Sequence, residues 1–311
     1  MVAGSVDGDP ADQAAWAAIQ DVTRDPAACL QATLASVDPG AAASPAIQQL
    51  RDGRVGLLIT ADLILAEAAA STAVAHPDLR VAIVDAPVTR VAPNLTALQF
   101  RHDQAGFLAG ALAGLMTRTN QVGGVYGLET ASIHDFRVGF ENGVRAVNPV
   151  IAQDAAHRLL AAVEPAGARP FTDPDFGRRQ ALAQLARGAD IIFAAGGETA
   201  RQALVAAAGA GRWCIGAGED AYRTVPLADA CLLSSALTDV RAAVSAFLRD
   251  AARHRWPASG SVTFGLENGG AGLAPFHALD GQVPAAVRTR LASIRAQLLD
   301  GTLSTGAFAA G

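Results

Sequence analysis

LTALQFRHDQAGFLAGALAGLMTRTNQVGGVYGLETASIHDFRVGFENGVRAVNP, residues 95–149, is the stretch that decides the fold. A helical pattern over residues 104–117 is followed by the short apolar run Val122–Tyr126, a polar turn, and a second helix read over residues 135–146. Gly106, Ala109, Gly110, Ala113 and Gly114 give the first helix a thin face that a neighbour can approach closely. The apolar run ends in Gly127, and Asp135-Phe136 open the next helix. A carboxylate and an aromatic ring at a strand-to-helix junction suit a flat, polar ligand, because open α/β sheets bind at the carboxyl ends of their strands.

Outward from there the same alternation fills the chain. Further strand-length apolar runs lie at residues 55–59, 81–84, 191–194, 213–215 and 231–234. Helix-length segments run over residues 12–22, 62–75, 175–187, 199–208 and 238–254. This reads as βα units that build parallel sheets. Gly and Pro punctuate the passages, as in Ala195-Gly196-Gly197 and Ile215-Gly216-Ala217-Gly218. Residues 39–45 read as a surface loop and not as a domain linker. Pattern alone gives an α/β fold and does not separate one lobe from two.

The 311 residues allow about two domains. Hydrophobic residues make up 51% and aromatics only 5%, with 31 Gly, as in closely packed helices and sheets of small residues. No apolar run reaches the ~18 residues of a membrane-spanning helix. A formal net charge of -5 with scattered basic residues argues against a nucleic-acid surface. Met1-Val2-Ala3-Gly4 leads to Asp7 and Asp9 without a basic or apolar export region. The expectation is a periplasmic or extracytoplasmic protein if a signal peptide has been removed, and a cytoplasmic one otherwise. Cys214 and Cys231 are within reach of each other if their segments are neighbouring strands, leaving Cys29 free on a helix. General cysteine burial favours three unpaired, buried thiols instead.

The quoted stretch resembles the basic membrane protein family of solute-binding proteins, whose characterised members capture purine nucleosides for ABC transporters. The resemblance rests on residues 100–110, on Met116-Thr117-Arg118-Thr119, and on Phe136, Gly139-Phe140 and Gly143-Val144-Arg145-Ala146-Val147-Asn148-Pro149. It is long and ungapped, and weaker echoes cover nearly the whole chain. It implies an α/β, type I periplasmic-binding-protein-like fold: two Rossmann-like lobes with parallel sheets and an interlobe ligand cleft. The lobes would be residues 1–99 plus 235–265 and residues 100–234 plus 266–311, with crossings near residues 98–100, 230–235 and 264–274.

The candidate ligand contacts follow from both readings. Phe136 and Phe140 share one helix face at i and i+4, and Phe136 is the better stacking candidate because it lies nearer the helix start. Asp85 closes the run 81–84, where a carboxylate can accept ligand hydrogen bonds, and the family has an Asp there. Asp62 reads as a helix cap. Asp7, Asp12 and Gln13 are polar contacts near the first strand, but Ala11 stands where the family carries a stacking aromatic. Gly196 and Gly197 let backbone approach the ligand, with Glu198 at the helix start, and the lysine of a phosphate loop is missing. Gly218 replaces the aspartate expected to hold ribose hydroxyls, Asp220 keeps the second acidic position, and Ser235-Ala236-Leu237-Thr238 lacks the family's lysine.

Catalytic constellations are weak. The six histidines show no metal-ligand spacing, and no nucleophile elbow occurs. His134-Asp135 is the one pair to weigh for acid–base work, and a polar turn explains it as well. The chain is therefore expected not to be an enzyme and to need no cofactor or metal. It is expected to capture a small heteroaromatic ligand, purine nucleoside or nucleobase-like, and to meet an ABC permease if exported. The alternative is a cytoplasmic small-molecule sensor on the same fold.

Overall fold

Aliphatic runs between Gly- and Pro-rich turns form two parallel sheets in a computed structural model that describes residues 2–4, 10–32, 34–36, 56–61, 63–86, 88, 90–166, 171–256 and 260–307. The strands are β1 (Val2–Gly4), β2 (Leu34–Ser36), β3 (Leu57–Thr60), β4 (Arg80–Val84), β5 (Leu95–Phe100) and β6 (Val122–Tyr126). They continue with β7 (Leu159–Val163), β8 (Ile191–Ala195), β9 (Trp213–Gly218), β10 (Leu232–Thr238), β11 (Ser261–Phe264) and β12 (Ala271–Leu273). The longer helices are α1 (Pro10–Thr23), α2 (Leu63–Ala75), α3 (His102–Met116), α4 (Ala131–Val147), α5 (Pro174–Ala186), α6 (Gly197–Gly209), α7 (Val240–Ala252) and α8 (Ala285–Leu299).

The chain forms two compact units, Met1–Phe100 with Asp239–Phe264, and Arg101–Thr238 with Gly265–Gly311. The first holds a sheet ordered β11-β5-β4-β3-β1-β2, parallel throughout. The second holds β12-β10-β9-β8-β6-β7, parallel except where β12 runs against β10. The middle passage between units comes later than residues 230–235, because β10 continues to Thr238 and stays paired with β9 as far as Leu237 and Gly218. Residues 235–238 therefore belong to the second unit. Strands β2, β5, β7, β11 and β12 were not marked by the sequence reading. β11 alternates polar and apolar residues, and β7, apolar throughout, is only partly buried.

Helices α3 and α4 touch backbone to backbone. A Cβ on Gly106 would lie 2.5 Å from the Phe136 carbonyl oxygen, and one on Gly110 would overlap that of Phe140. From the other side, Gly139 meets the Asp103 backbone and Gly143 that of Phe107. Glycine at four-residue spacing on both helices is what allows the approach. Helix α4 begins at Ala131, capped by the Thr130 hydroxyl at 3.4 Å from the Ile133 N–H, so Asp135 and Phe136 sit one turn inside it and not at its opening.

The ends of this pair are held by buried polar groups. The Asp190 carboxylate accepts from the Thr117 hydroxyl at 2.6 Å and from the Arg118 and Thr119 N–H groups at 2.7 and 3.2 Å. The Asn148 amide donates to the Gly114 carbonyl at 3.0 Å and to Asn120 at 2.9 Å, while its oxygen caps Ile151. Asn148 satisfies a carbonyl that the end of α3 would otherwise leave without a partner, and Asp190 holds the turn that follows it. Cys214 on β9 and Cys231 just before β10 form a disulfide, with Cα atoms 5.2 Å apart. That overturns the expectation of three buried thiols: neighbouring strands bring the two together, and Cys29 is free and exposed. No helix among the described residues is long and apolar enough to cross a membrane.

Candidate functional site

In the second unit the carboxyl ends of β6, β8 and β9 open onto glycine-rich turns. Gly196 and Gly197, at φ 111° and 56°, carry the chain from β8 into α6 in a conformation that side chains disfavour. Their bare backbone lets one ring come close. A Cβ on Gly127 would lie 2.5 Å from the Phe171 ring, and one on Gly197 2.8 Å from the Phe171 Cβ. Phe171 itself has a positive φ of 65°, and its carbonyl accepts the N–H groups of Glu198 and Thr199 at 2.9 and 3.3 Å. The first turn of α6 is thus capped by the Phe171 carbonyl. The ring, half-buried on the glycines, is an aromatic surface at the strand ends that sequence reading had not singled out. Beneath it, the buried Glu164 carboxylate accepts from the Thr199 hydroxyl at 2.8 Å.

Gly218 closes β9 at φ 86°, and a Cβ there would meet nothing within 4 Å. The two acidic residues after it are both engaged. Glu219 accepts from Arg201 at 3.1 Å, and the Asp220 carboxylate lies 2.9 and 3.1 Å from His277 Nε2 and 3.3 Å from Arg223 Nε. The His277 imidazole stacks on Tyr222 with ring centres 4.2 Å apart and planes at 9°. His277 was not legible as a partner of Asp220, since it lies 57 residues further along the chain.

At the start of α3, Asp103 is buried and accepts two hydrogen bonds from Arg101, both 2.8 Å, and one from the Thr305 hydroxyl at 2.6 Å. Burial alone would raise the Asp103 carboxyl, but these donors outweigh it and hold it below the usual carboxylate range. The same pairing raises Arg101. On α4, His134 Nδ1 lies 3.0 Å from Glu129, which also accepts from Arg137. His134 is thereby tied to the polar turn before the helix and not to Asp135. Among the described residues no group of three or more His, Cys, Asp or Glu could hold a metal ion.

Phe136 and Phe140 both pack into the core of the second unit. Phe140 stacks on Phe193 at 4.3 Å, and Phe136 meets His102 edge-on at 4.7 Å. With 4% exposure, Phe136 leaves no open ring face for a ligand in this conformation. In the first unit, Asp85 follows β4 at φ 55°, and its N–H donates to the Leu98 carbonyl at 2.9 Å. Gln13 is exposed on α1, and Asp12 lies in the first turn of that helix. Asp7, Asp62 and the loop 39–45 fall outside the described residues.

Comparison with known proteins agrees with this architecture. The chain is 36% identical over 106 residues to the CD4+ T-cell-stimulating antigen of Listeria innocua, a match covering 34% of this chain and 27% of that protein. It is 24% identical over 262 residues to the ABC transporter nucleoside-binding protein BmpA of Lactococcus lactis subsp. cremoris, covering 80% of this chain and 70% of that one. A solute-binding protein of an ABC transporter system from Aeropyrum pernix K1 shares the fold, with a TM-score of 0.77 at 18% identity over 97% of this chain and 91% of that chain. The model of the Bmp family, described as ABC transporter substrate-binding protein PnrA-like, matches residues 1–292, and the chain belongs to that family.

Proposed function

We propose that this protein captures a neutral, nucleobase-like heteroaromatic outside the cytoplasm and presents it to an ABC permease. The observation that carries the reading is the half-open Phe171 ring seated on Gly127 and Gly196 at the carboxyl ends of β6 and β8. An aromatic face of this kind holds a flat ring by stacking, worth ~1–3 kcal/mol. Family membership supports transport, and the Lactococcus relative is a nucleoside-binding protein by name. Gly218, with open space where the family resemblance expects a ribose-binding aspartate, favours a base over a nucleoside. Glu219 and Asp220 are already paired with Arg201 and Arg223, which favours a neutral ligand. The Cys214–Cys231 disulfide favours an oxidising compartment. The family resemblance supports Asp85, Gln13, Asp12 and Asp7 as further polar contacts of the ligand.

A thermal-shift panel of adenine, guanine, hypoxanthine, adenosine, inosine and riboflavin tests this. A bound base at about a hundred times its dissociation constant should stabilise the protein by about 2.7 kcal/mol. Phe171→Ala should weaken that binding roughly 10- to 100-fold. Silence across the panel, or an unchanged affinity in Phe171→Ala, would rule the reading out.

A further inference from the structure

Asp135 lies one turn into α4, beyond the carboxyl end of β6, and is half-buried. Its charged and titratable surroundings are Arg101, His102 and Asp103 at the start of α3, and His134 beside it on α4. Three of these neighbours are committed elsewhere. Arg101 gives its two hydrogen bonds to Asp103, Asp103 also takes the Thr305 hydroxyl, and His134 faces Glu129. Asp135 makes no side-chain hydrogen bond or ion pair with any described residue. Burial, and after it the Asp103 carboxylate, push the Asp135 carboxyl up. A half-buried carboxylate without a partner costs stability, and such groups are concentrated where a protein meets a ligand.

We propose that Asp135 is a ligand contact whose carboxylate accepts a hydrogen bond from an amino group on the heteroaromatic ring, so that the class of ligand bound is an aminopurine. The inference rests on the base-binding reading above and adds the group that selects among bases. Asp135 is the residue before Phe136, on the helix that leaves β6, while Phe171 packs on Gly127 at the end of that same strand. Stacking on Phe171 fixes the plane of a ring without distinguishing one purine from another. A carboxylate, which only accepts when ionised, pairs with an exocyclic amino group, loses that pairing when the group is dialkylated, and is repelled by an oxygen at the same position.

The test titrates adenine, N6,N6-dimethyladenine and hypoxanthine calorimetrically into the wild type and into Asp135→Ala, with Tm recorded for both proteins. The wild type should prefer adenine to the dimethyl compound by at least about tenfold, the effect of a hydrogen bond to a charged group. In Asp135→Ala that preference should fall to within about twofold, with Tm equal to or above that of the wild type, since the unpartnered carboxylate is removed. A preference that persists in Asp135→Ala, or a wild type that binds hypoxanthine as tightly as adenine, overturns the contact and leaves base binding standing. A wild type that binds none of the three removes the base-binding reading itself.

Discussion

Asp103 at the start of α3 and Asp135 one turn into α4 interact electrostatically, yet their surroundings push them in opposite directions. Asp103 is held below its ordinary value by Arg101 and Thr305 against the pull of burial. Its stabilisation is therefore complete above the unfolded value near pH ~3.9 and lost as the pH falls through the lower folded value. Asp135 is raised by burial and by Asp103, so its contribution is present at low pH and lost as the pH rises through its folded value. Asp103→Asn should cost about 2 kcal/mol in urea unfolding at pH 7, because Arg101 loses its charged partner. The gap between Asp103→Asn and wild type should narrow at pH 3. A gap that stays constant with pH would mean the carboxylate's charge contributes nothing.

At the scale of the element, the decisive contact is between α3 and α4. Gly110→Ala or Gly143→Ala should destabilise by about 1–3 kcal/mol, since a methyl group must displace a facing backbone carbonyl. Gly209→Ala, at the end of α6 with nothing within 4 Å, is the control, and should gain about 0.5–1 kcal/mol from helix propensity. Equal thermal unfolding of all three would contradict the close approach. This contact was legible in the sequence because glycines at four-residue spacing have little other use in a buried helix. Strands such as β8, buried at every position, were legible for a similar reason. Strand β11 was not, because its outward positions are polar and it sits at a sheet edge. The site followed the same division. Gly196 and Gly197 announce themselves as punctuation, whereas Phe171 and His277 acquire their positions only through distant partners.

For the molecule as a whole, two units with their own sheets are drawn from a chain that passes between them three times. The disulfide in the second closes a loop with a sequence separation of 17, and constraining the unfolded chain over that length is worth about 3 kcal/mol. Cys214→Ser with Cys231→Ser should lower stability by that amount, and dithiothreitol should reproduce the loss in the wild type alone. Identical unfolding with and without reductant would show the thiols to be unpaired. The α3–α4 contact has a wider consequence. The residues by which this chain declares its kinship, from Gly106 to Pro149, include the glycines that let two helices touch and the Asn148 cap that closes their ends. Of the residues proposed to meet the ligand, Phe171 lies outside that stretch, and Asp135 lies within it but is not one of its glycines. The glycine face can thus stay fixed while positions off it change, and a lineage can exchange its nutrient while its ancestry stays plain.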